Sequence, residues 1–220
     1  MSSRGRPRSF SREQALKNAM HLFWDRGYDN TSLADLTRAM GLNPPSLYAA
    51  FGSKAQLFIE AVDFYGRTDG AGIWDYIETA PTAKEAVRQL LTRTAENFTR
   101  SGEPRGCMVV LSAPQMAGGD ADVCDALKAR RLEKQLALEH RFKRAVAEGE
   151  LPPEVDCSGL AAYVASLQHG MSIEARDGAA RDTLMAIGAC AIAGWDAMIA
   201  ASGRATATVP AASASISPSA

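Results

Sequence analysis

The stretch that decides the fold lies between Gly41 and Lys54 and reads GLNPPSLYAAFGSK. Glycine at position 41 can adopt the left-handed backbone conformation that ends one helix and opens a turn. Asn43 can then cap a new helix, with Pro44 at the first helical position, where a missing N–H group costs nothing. Because Gly52 is placed to end this helix, the stretch predicts a tight turn followed by a two-turn helix.

The residues upstream predict two more short helices. Ser11–Gln14 reads as a capping box and opens a helix that Gly27 closes. Apolar residues recur on one face of this helix at Ala15, Leu16, Ala19, Met20, Leu22 and Phe23. A second helix begins near Thr31 and Ser32 and ends at Gly41. Three short helices with a tight turn between the second and the third predict a helix-turn-helix unit.

The exposed side of the third helix is the surface that would enter a major groove of DNA. On a helical wheel Leu47 and Phe51 point together toward the core. The opposite side carries Pro45, Ser46, Tyr48 and Ala49. It lacks Arg, Lys, Gln and Asn, so much of the sequence specificity is expected to be indirect, from DNA shape and from the arginines Arg4, Arg6 and Arg8 entering a minor groove. Asn43, at the turn, could either bind a base edge or cap the helix.

Positive charge is concentrated at the N-terminus, although the whole chain has a formal net charge of −1. The first 60 residues hold eight Lys or Arg against five Asp or Glu. Arg4, Arg6 and Arg8 lie in and next to the run RGRPR, which looks like an AT-hook-type core and favours a minor groove. Residues 1–10 are therefore expected to form a basic disordered arm that contacts DNA. The alternative is a solvated tail without that role.

Two stretches of this region resemble the TetR family of transcriptional regulators: residues 41–54, quoted above, and residues 19–31, AMHLFWDRGYDNT. The resemblance implies that Thr31 or Ser32 brings N–H groups and a hydroxyl to a DNA phosphate. It also implies phosphate contacts from Tyr48 and Lys54, for which the alternatives are a packing residue and a solvated lysine. The expected DNA-binding residues are Arg4, Arg6, Arg8, Thr31, Ser32, Asn43, Pro44, Pro45, Ser46, Tyr48, Ala49 and Lys54.

Helical signals continue through the rest of the chain. Helices are expected over 53–65, 82–98, 122–148, 158–175 and 182–200, and the type of segment 106–116 is left open. From residue 202 only Gly203 and Arg204 interrupt a composition of small apolar residues, Ser, Thr and Pro, which predicts a disordered tail over 202–220. The prediction is an all-α fold of about nine helices. A helix-turn-helix domain covers 11–55 and a larger effector-binding and dimerisation domain covers 56–201.

The middle helices of the larger domain are expected to enclose an effector pocket. Its candidate residues are Trp74, Phe98, Cys107, Met108, Met116, His140, Phe142 and His169. Aromatic walls with a few polar groups suit a small, largely apolar effector, although each residue could instead belong to the core. Residues 105–112, RGCMVVLS, also resemble a segment of TetR-type sensors of electrophiles. Arg105 could lower the pKa of the Cys107 thiol, or Cys107 could be an inert buried cysteine.

The last two helices are the expected dimer interface. Small residues recur over 184–195, LMAIGACAIAGW, which permits close approach of helices. A two-turn reading helix makes too few contacts to select one genomic site alone, so a homodimer is expected. The resemblance implies a four-helix bundle with the partner, and intramolecular core is the alternative. The expected interface residues are Leu167, Met171, Ile187, Ala191 and Trp195.

Other classes of function are disfavoured. No Gly-rich phosphate loop, GxSxG or HExxH motif is present, so no enzymatic activity is expected. Four scattered cysteines predict reduced thiols, a cytoplasmic protein and no metal or cofactor, and the longest apolar stretch is too short to span a membrane. We expect a ligand-responsive repressor that binds a palindromic operator in double-stranded DNA as a homodimer and is released by a small effector. A helix-turn-helix protein with a nucleoid or cell-division role is the alternative, and an α-helical enzyme is a more distant one.

Overall fold

The computed structural model describes residues 11–100, 105–112 and 120–205, with side chains described as far as residue 201. This part of the chain contains ten helices and no strand. The helices are α1 (Arg12–Arg26), α2 (Leu33–Met40), α3 (Pro44–Phe51), α4 (Lys54–Arg67), α5 (Ala83–Phe98), α6 (Met108–Leu111), α7 (Ala121–Ala147), α8 (Cys157–Arg176), α9 (Arg181–Ala193) and α10 (Trp195–Ala205). The all-α prediction is confirmed.

Two segments explain why the described residues form ten helices where the sequence predicts about nine. The segment of undecided type contains the short helix α6. The predicted last helix is broken at Gly194 into α9 and α10, which are bent by 47°. After the break Trp195 is buried, with its ring 6.1 Å from that of Phe142. Because α10 continues to Ala205, the predicted start of a disordered tail at residue 202 is wrong. Residues 206–220 lie outside the described residues.

Local capping sets the starts of the first helices. The Ser11 hydroxyl accepts a hydrogen bond from the N–H group of Gln14 across 3.2 Å. Ser32 and Asp35 form a complete capping box at the start of α2. Gly41 has a φ of +67° at the turn between α2 and α3, the left-handed conformation that favours glycine. These features depend on residues close in sequence, which is why the sequence predicts them.

The first four helices share one hydrophobic core. At its centre are the buried side chains of Phe23, Leu36, Leu47 and Phe58. α4 contributes its inner face as far as Tyr65, and Met108 of α6 and two residues of α7 also belong to this core. The predicted domain boundary after residue 55 therefore falls inside α4 and divides a packed unit that runs from α1 through α4.

A second core is built from the later helices. α5 packs on α8 and α9, and α7 packs on α8. Buried residues of this core include Val87, Leu90, Val164 and Leu184. No single helix in the described ranges is long and apolar enough to cross a membrane, and only the bent pair α9 and α10 together meets the length and composition of a span.

Candidate DNA interface and ligand cavity

The exposed face of α3 has the orientation that the helical wheel predicts. Leu47 and Phe51 are buried, whereas Pro45 and Ala49 are exposed and Tyr48 keeps 46% of its surface accessible. Pro44 is exposed and Ser46 is half-buried. The Asn43 side chain accepts a hydrogen bond from the N–H group of Ser46 across 2.9 Å. The capping role of Asn43 is thus present in the structure without DNA.

Arg12 fixes the far end of α3, a role that sequence reasoning missed. Its guanidinium donates to the carboxylate of Glu60 and, across 3.2 Å, to the carbonyl oxygen of Ala50. It also lies 4.5 Å from the centre of the Phe51 ring. Hydrogen bonding to Glu60 raises the pKa of Arg12. No local pattern could have identified this contact, because Arg12 and Glu60 are 48 positions apart.

The start of α2 offers fewer free hydrogen-bond donors to a DNA phosphate than the sequence predicts. Thr31 is fully buried, and its hydroxyl donates to the carbonyl oxygen of Gly27 across 2.7 Å. The expectation of a phosphate contact from the Thr31 hydroxyl is therefore wrong, since that group is already bonded. Ser32 is exposed, but its hydroxyl is 2.6 Å from a carboxylate oxygen of Asp35 in the capping box. Hydrogen bonds from Ser32 hold the pKa of Asp35 below its usual value.

Lys54 is the first residue of α4, and its ammonium lies over an aromatic ring. The Nζ atom is 4.3 Å from the centre of the Tyr28 ring. The Tyr28 hydroxyl donates to Asp120, the residue that caps α7, across 3.3 Å. Burial, followed by the charge of Asp120, raises the pKa of Tyr28 to about 12, and burial lowers the pKa of Lys54. Lys54 thus stands between the helix-turn-helix unit and α7.

One exposed cation near the turn was not among the predicted residues. The Arg38 side chain, on α2, keeps 81% of its surface accessible and lies 3.8 Å from Asp35. It precedes the Gly41 turn by three positions. An exposed arginine in the last turn of the helix before the turn was the signal that could have singled it out. Arg4, Arg6 and Arg8 lie outside the described residues.

A cavity of about 400 Å³ lies beside α4, α6, α7 and α8. Four predicted pocket residues line it, namely Trp74, Phe98, Cys107 and His169. Met108 and Phe142 do not line it, and each packs in one of the two cores, so their assignment to the pocket is wrong. His140 is exposed on α7, with Nδ1 3.4 Å from Glu78, so its assignment to the pocket is also wrong. Met116 lies outside the described residues.

The charged residues of this cavity were missed. They come from α4, α7 and the segment after α4: Asp63, Arg67, Asp75, Arg130, Arg131, Glu133 and Lys134. The positions 63 and 67, and likewise 130 and 134, are four apart and share a helix face. That spacing was the available signal. The cavity wall therefore combines apolar side chains with seven charged ones.

Cys107 does not have the environment of an activated thiol. Arg105 donates to the carbonyl oxygen of Ala179, and the pKa of Cys107 is raised rather than lowered, so the expectation of a thiol activated by Arg105 is wrong. Burial raises the pKa of the thiol, with Arg131 as the cation that opposes this effect. The backbone N–H group of Cys107 donates to the hydroxyl of Ser172 on α8 across 2.8 Å. The residue thus joins α8 to the cavity wall.

The end of α1 is tied to the same segment. Trp24 donates its indole N–H to the carbonyl oxygen of Gly106 across 3.1 Å. Its ring lies 4.8 Å from the ring of Tyr65, which lines the cavity. Arg176 of α8 donates to the carbonyl oxygens of Trp24 and Asp25, at 2.7 and 3.2 Å. A continuous set of contacts therefore runs from the cavity wall to the last turn of α1.

The predicted dimer residues are mostly internal. Met171, Ala191 and Trp195 are buried in the core of their own chain, so their assignment to a dimer surface is wrong. Leu167 and Ile187 are half-buried against that core. The large apolar residues that remain exposed on α8 are Tyr163 and Ile173, at 41% and 50%. α9 exposes small residues at Ala186, Ala189, Cys190 and Ala193.

Two parts of this chain match known protein families. Residues 15–61 match the bacterial regulatory proteins of the tetR family, and residues 83–188 match the tetracyclin repressor-like C-terminal domain. The first match runs from within α1 into α4. The second covers the helices from α5 into α9.

Curated relatives and a solved structure are similar to this chain over most of its length. The HTH-type transcriptional repressor ComR of Escherichia coli K12 is 34% identical over 90% of this chain and 94% of its own length. The repressor BdcR of the same organism is 31% identical over 85% and 90%. A structure of the regulator CifR, a cysteine mutant complexed with 26-bp double-strand operator DNA, is 43% identical, with a TM-score of 0.81 over 86% of this chain and all of that chain. The chain belongs to the TetR family and is a TetR-type DNA-binding transcriptional repressor, not an enzyme.

Proposed function

We propose that this protein is a ligand-responsive repressor, which binds a palindromic operator as a homodimer and releases it when a small molecule occupies the cavity. The names of the relatives support the DNA-binding half of this proposal, since ComR and BdcR are repressors and a CifR mutant has been solved in complex with operator DNA. The cavity of about 400 Å³ supports the ligand-binding half, because its volume falls in the usual range for small-molecule sites.

The observation that carries the proposal is the pair of neighbouring residues Gly106 and Cys107. Cys107 lines the cavity, whereas the carbonyl oxygen of Gly106 accepts the indole N–H of Trp24 at the end of α1. A ligand that displaces this segment would change the support of α1, and α1 packs on α2 and α4. Ligand binding and DNA binding would then favour different positions of one element, which is what coupling between two sites requires.

We propose that DNA is contacted by the exposed face of α3, by Ser32 and by Lys54. Pro45, Tyr48 and Ala49 are accessible for the major groove, and Asn43, Pro44 and Ser46 flank them. This face carries no charge, so phosphate contacts by Lys54 and by the N-terminal arginines Arg4, Arg6 and Arg8 would supply much of the affinity.

We propose that α8 and α9 form the dimer surface. Tyr163 and Ile173 are ten positions apart on α8, and Gly170 lies on the same face. The exposed alanines of α9 would let a partner helix approach closely. Dimerisation would place two α3 helices on one duplex, which a palindromic operator requires. Because the proposed target is chromosomal DNA, we place the protein in the cytoplasm.

Footprinting on the DNA upstream of its own gene and of the neighbouring genes tests this function. The expected result is protection of one or a few short palindromes by the purified full chain, with a stoichiometry of two chains for each site or a multiple of two. Protection of many dispersed sites without a common palindrome would contradict the proposal and favour a nucleoid role. Neighbouring genes under the same operator would also indicate the chemistry of the effector.

A further inference from the structure

The wall of the cavity combines an apolar part with a charged part. The apolar part is formed by Val62, Ile73, Trp74, Phe98, Val109 and Val110. Burial of apolar ligand surface against such side chains provides binding free energy without specifying an orientation. The charged part must therefore select the ligand and hold it in one orientation.

Most wall charges already have partners. Arg130 donates to Asp63 and, across 3.2 Å, to Glu133. Lys134 lies 3.4 Å from the carboxylate of Glu133. Hydrogen bonding to Asp63 raises the pKa of Arg130. These two cations and two anions balance one another.

Arg131 differs from these residues. Arg67 and Asp75 are exposed and therefore hydrated, whereas Arg131 is half-buried. Its Nη1 atom is enclosed and has no hydrogen-bond partner among the described residues. An enclosed guanidinium nitrogen without an acceptor is costly, and such exceptions in a folded protein require a reason.

Two titratable groups interact with the charge of Arg131, and neither carries a negative charge that would neutralise it. Burial raises the pKa of the Cys107 thiol, so the sulfur keeps its proton near neutral pH. Burial and the charge of Arg131 both lower the pKa of His169, so that imidazole is uncharged at neutral pH. The cavity thus has an uncompensated positive charge beside two neutral groups.

A second enclosed donor lies on the same wall. The hydroxyl of Tyr65 is buried and donates to no oxygen or nitrogen acceptor in the described structure; it interacts with the thiol of Cys107 and the backbone of Met108. Burial raises the pKa of this phenol well above its ordinary value, so it keeps the proton that it can donate. The thiol of Cys107, which interacts with it, is only a weak acceptor. Among the residues that line the cavity, Arg131 and Tyr65 therefore each hold an enclosed donor without an oxygen or nitrogen acceptor, and the donor of Arg131 is charged.

We infer that the effector is a small organic anion, with a carboxylate that accepts hydrogen bonds from Arg131 and Tyr65 and an apolar body that packs on Trp74 and Phe98. This inference rests on the proposed function and narrows its effector to one chemical class. It replaces the largely apolar effector expected from the sequence. A carboxylate fits because it brings one negative charge and several acceptor lone pairs to two donors that lack an acceptor.

Titration calorimetry with matched ligands tests the inference on the full-length protein. The probes are 4-phenylbutyrate and 2-naphthoate, each paired with its uncharged amide of nearly the same shape. Acetate is the control ligand that carries the carboxylate charge without an apolar body. Each carboxylate is expected to bind about ten- to a hundredfold more tightly than its amide, which is the usual value of a hydrogen bond to a charged group. Acetate should bind much more weakly than either.

Substitutions of the wall residues test which of them cause the preference for carboxylates over amides. R131Q should abolish the preference for carboxylates, and Y65F should reduce it while leaving the charge of Arg131 in place. R181Q is the matched control, since Arg181 lies outside the cavity at the start of α9 and pairs with Glu96. It should keep the full preference. Because Y65F removes a single oxygen atom, it remains informative if R131Q fails to fold.

Three results would overturn the inference: neither carboxylate binds, the amides bind equally well, or the preference survives in both R131Q and Y65F. Operator release, measured separately by fluorescence anisotropy, distinguishes this failure from failure of the proposed function. Amides that bind and release DNA would support the function and refute the anion. Carboxylates that bind through Arg131 without releasing DNA would support the anion site and refute ligand-driven release.

Discussion

The indole N–H of Trp24 donates to the carbonyl oxygen of Gly106 across 3.1 Å, and this bond joins the helix-turn-helix unit to the segment that lines the cavity. Trp24 belongs to the last turn of α1, and Gly106 immediately precedes a residue that lines the cavity. The two are 82 positions apart in the chain. A buried hydrogen bond between residues so far apart in the chain is a point through which movement of one unit would reach the other.

Replacing Trp24 by phenylalanine is expected to destabilise the protein. W24F keeps an aromatic ring but leaves the carbonyl oxygen of Gly106 without its donor, and an unsatisfied buried group costs about 1–3 kcal/mol. Urea denaturation should show a lower free energy of unfolding, and amide hydrogen exchange should be faster over residues 105–112. W74F, at the half-exposed tryptophan of the cavity wall, is the control and should change stability by less. Equal stability of W24F and wild type would show that the Trp24–Gly106 bond contributes little.

Replacing Lys54 by glutamine is expected to weaken binding to every DNA sequence alike. A lysine that contacts one phosphate contributes about one unit to the slope of log affinity against log salt concentration. K54Q should therefore bind operator and random DNA more weakly, with a slope smaller by about one unit. K84Q is the matched control, because Lys84 lies on α5 and pairs with Asp196. An unchanged slope would mean that the ammonium stays over the Tyr28 ring and does not reach the DNA.

The sequence predicts the reading unit well because its signals are local. Asn43 caps α3 through a hydrogen bond to Ser46, three residues away, and the Gly41 turn needs only the conformational freedom of one residue. The same argument explains why Leu47 and Phe51 could be placed in the core. Nothing in these signals depends on how distant helices meet.

The cavity wall and the burial of residues on the last helices could not be predicted as well, because they depend on how long helices are rotated about their axes. α7 has polar residues on every side, so its sequence does not reveal that Arg131 lies at the cavity while His140 lies outside it. The sequence predicts Trp195 at the dimer surface, as a large apolar side chain on a helix of small residues. The bend after α9 instead turns it into the core beside Phe142.

The raised pKa of Cys107 predicts slow alkylation. The thiolate is the reactive form, and a raised pKa lowers its fraction at neutral pH. Iodoacetamide at pH 7.5 (about one unit below the ordinary thiol pKa) should modify Cys107 more slowly in the folded protein than in the urea-unfolded protein, as followed by mass spectrometry of its peptide. The rate in the folded protein should rise as the pH is increased. Faster reaction in the folded state, with loss of operator binding that C107S resists, would instead support an electrophile sensor.

The exposed apolar residues of α8 predict how the dimer can be broken. A single aspartate at Tyr163 or Ile173 would place a charge in the proposed interface, and burying an unpaired charge costs several kcal/mol. Y163D and I173D should therefore sediment as monomers at micromolar concentration. Their operator affinity should fall by more than about tenfold, because a single α3 helix then reads only one half-site.

The control for the dimer experiment is L132D. Leu132 lies on α7 and is as exposed as Ile173, at 48% against 50%, so the substitution introduces the same charge at an equally accessible apolar position. L132D should remain dimeric and bind the operator normally. If L132D dissociates and the α8 variants stay dimeric, the partner contacts α7 and the proposed surface is wrong. If all three stay dimeric, Tyr163 and Ile173 do not lie in the partner contact and the proposed contribution of α8 to the dimer surface is wrong.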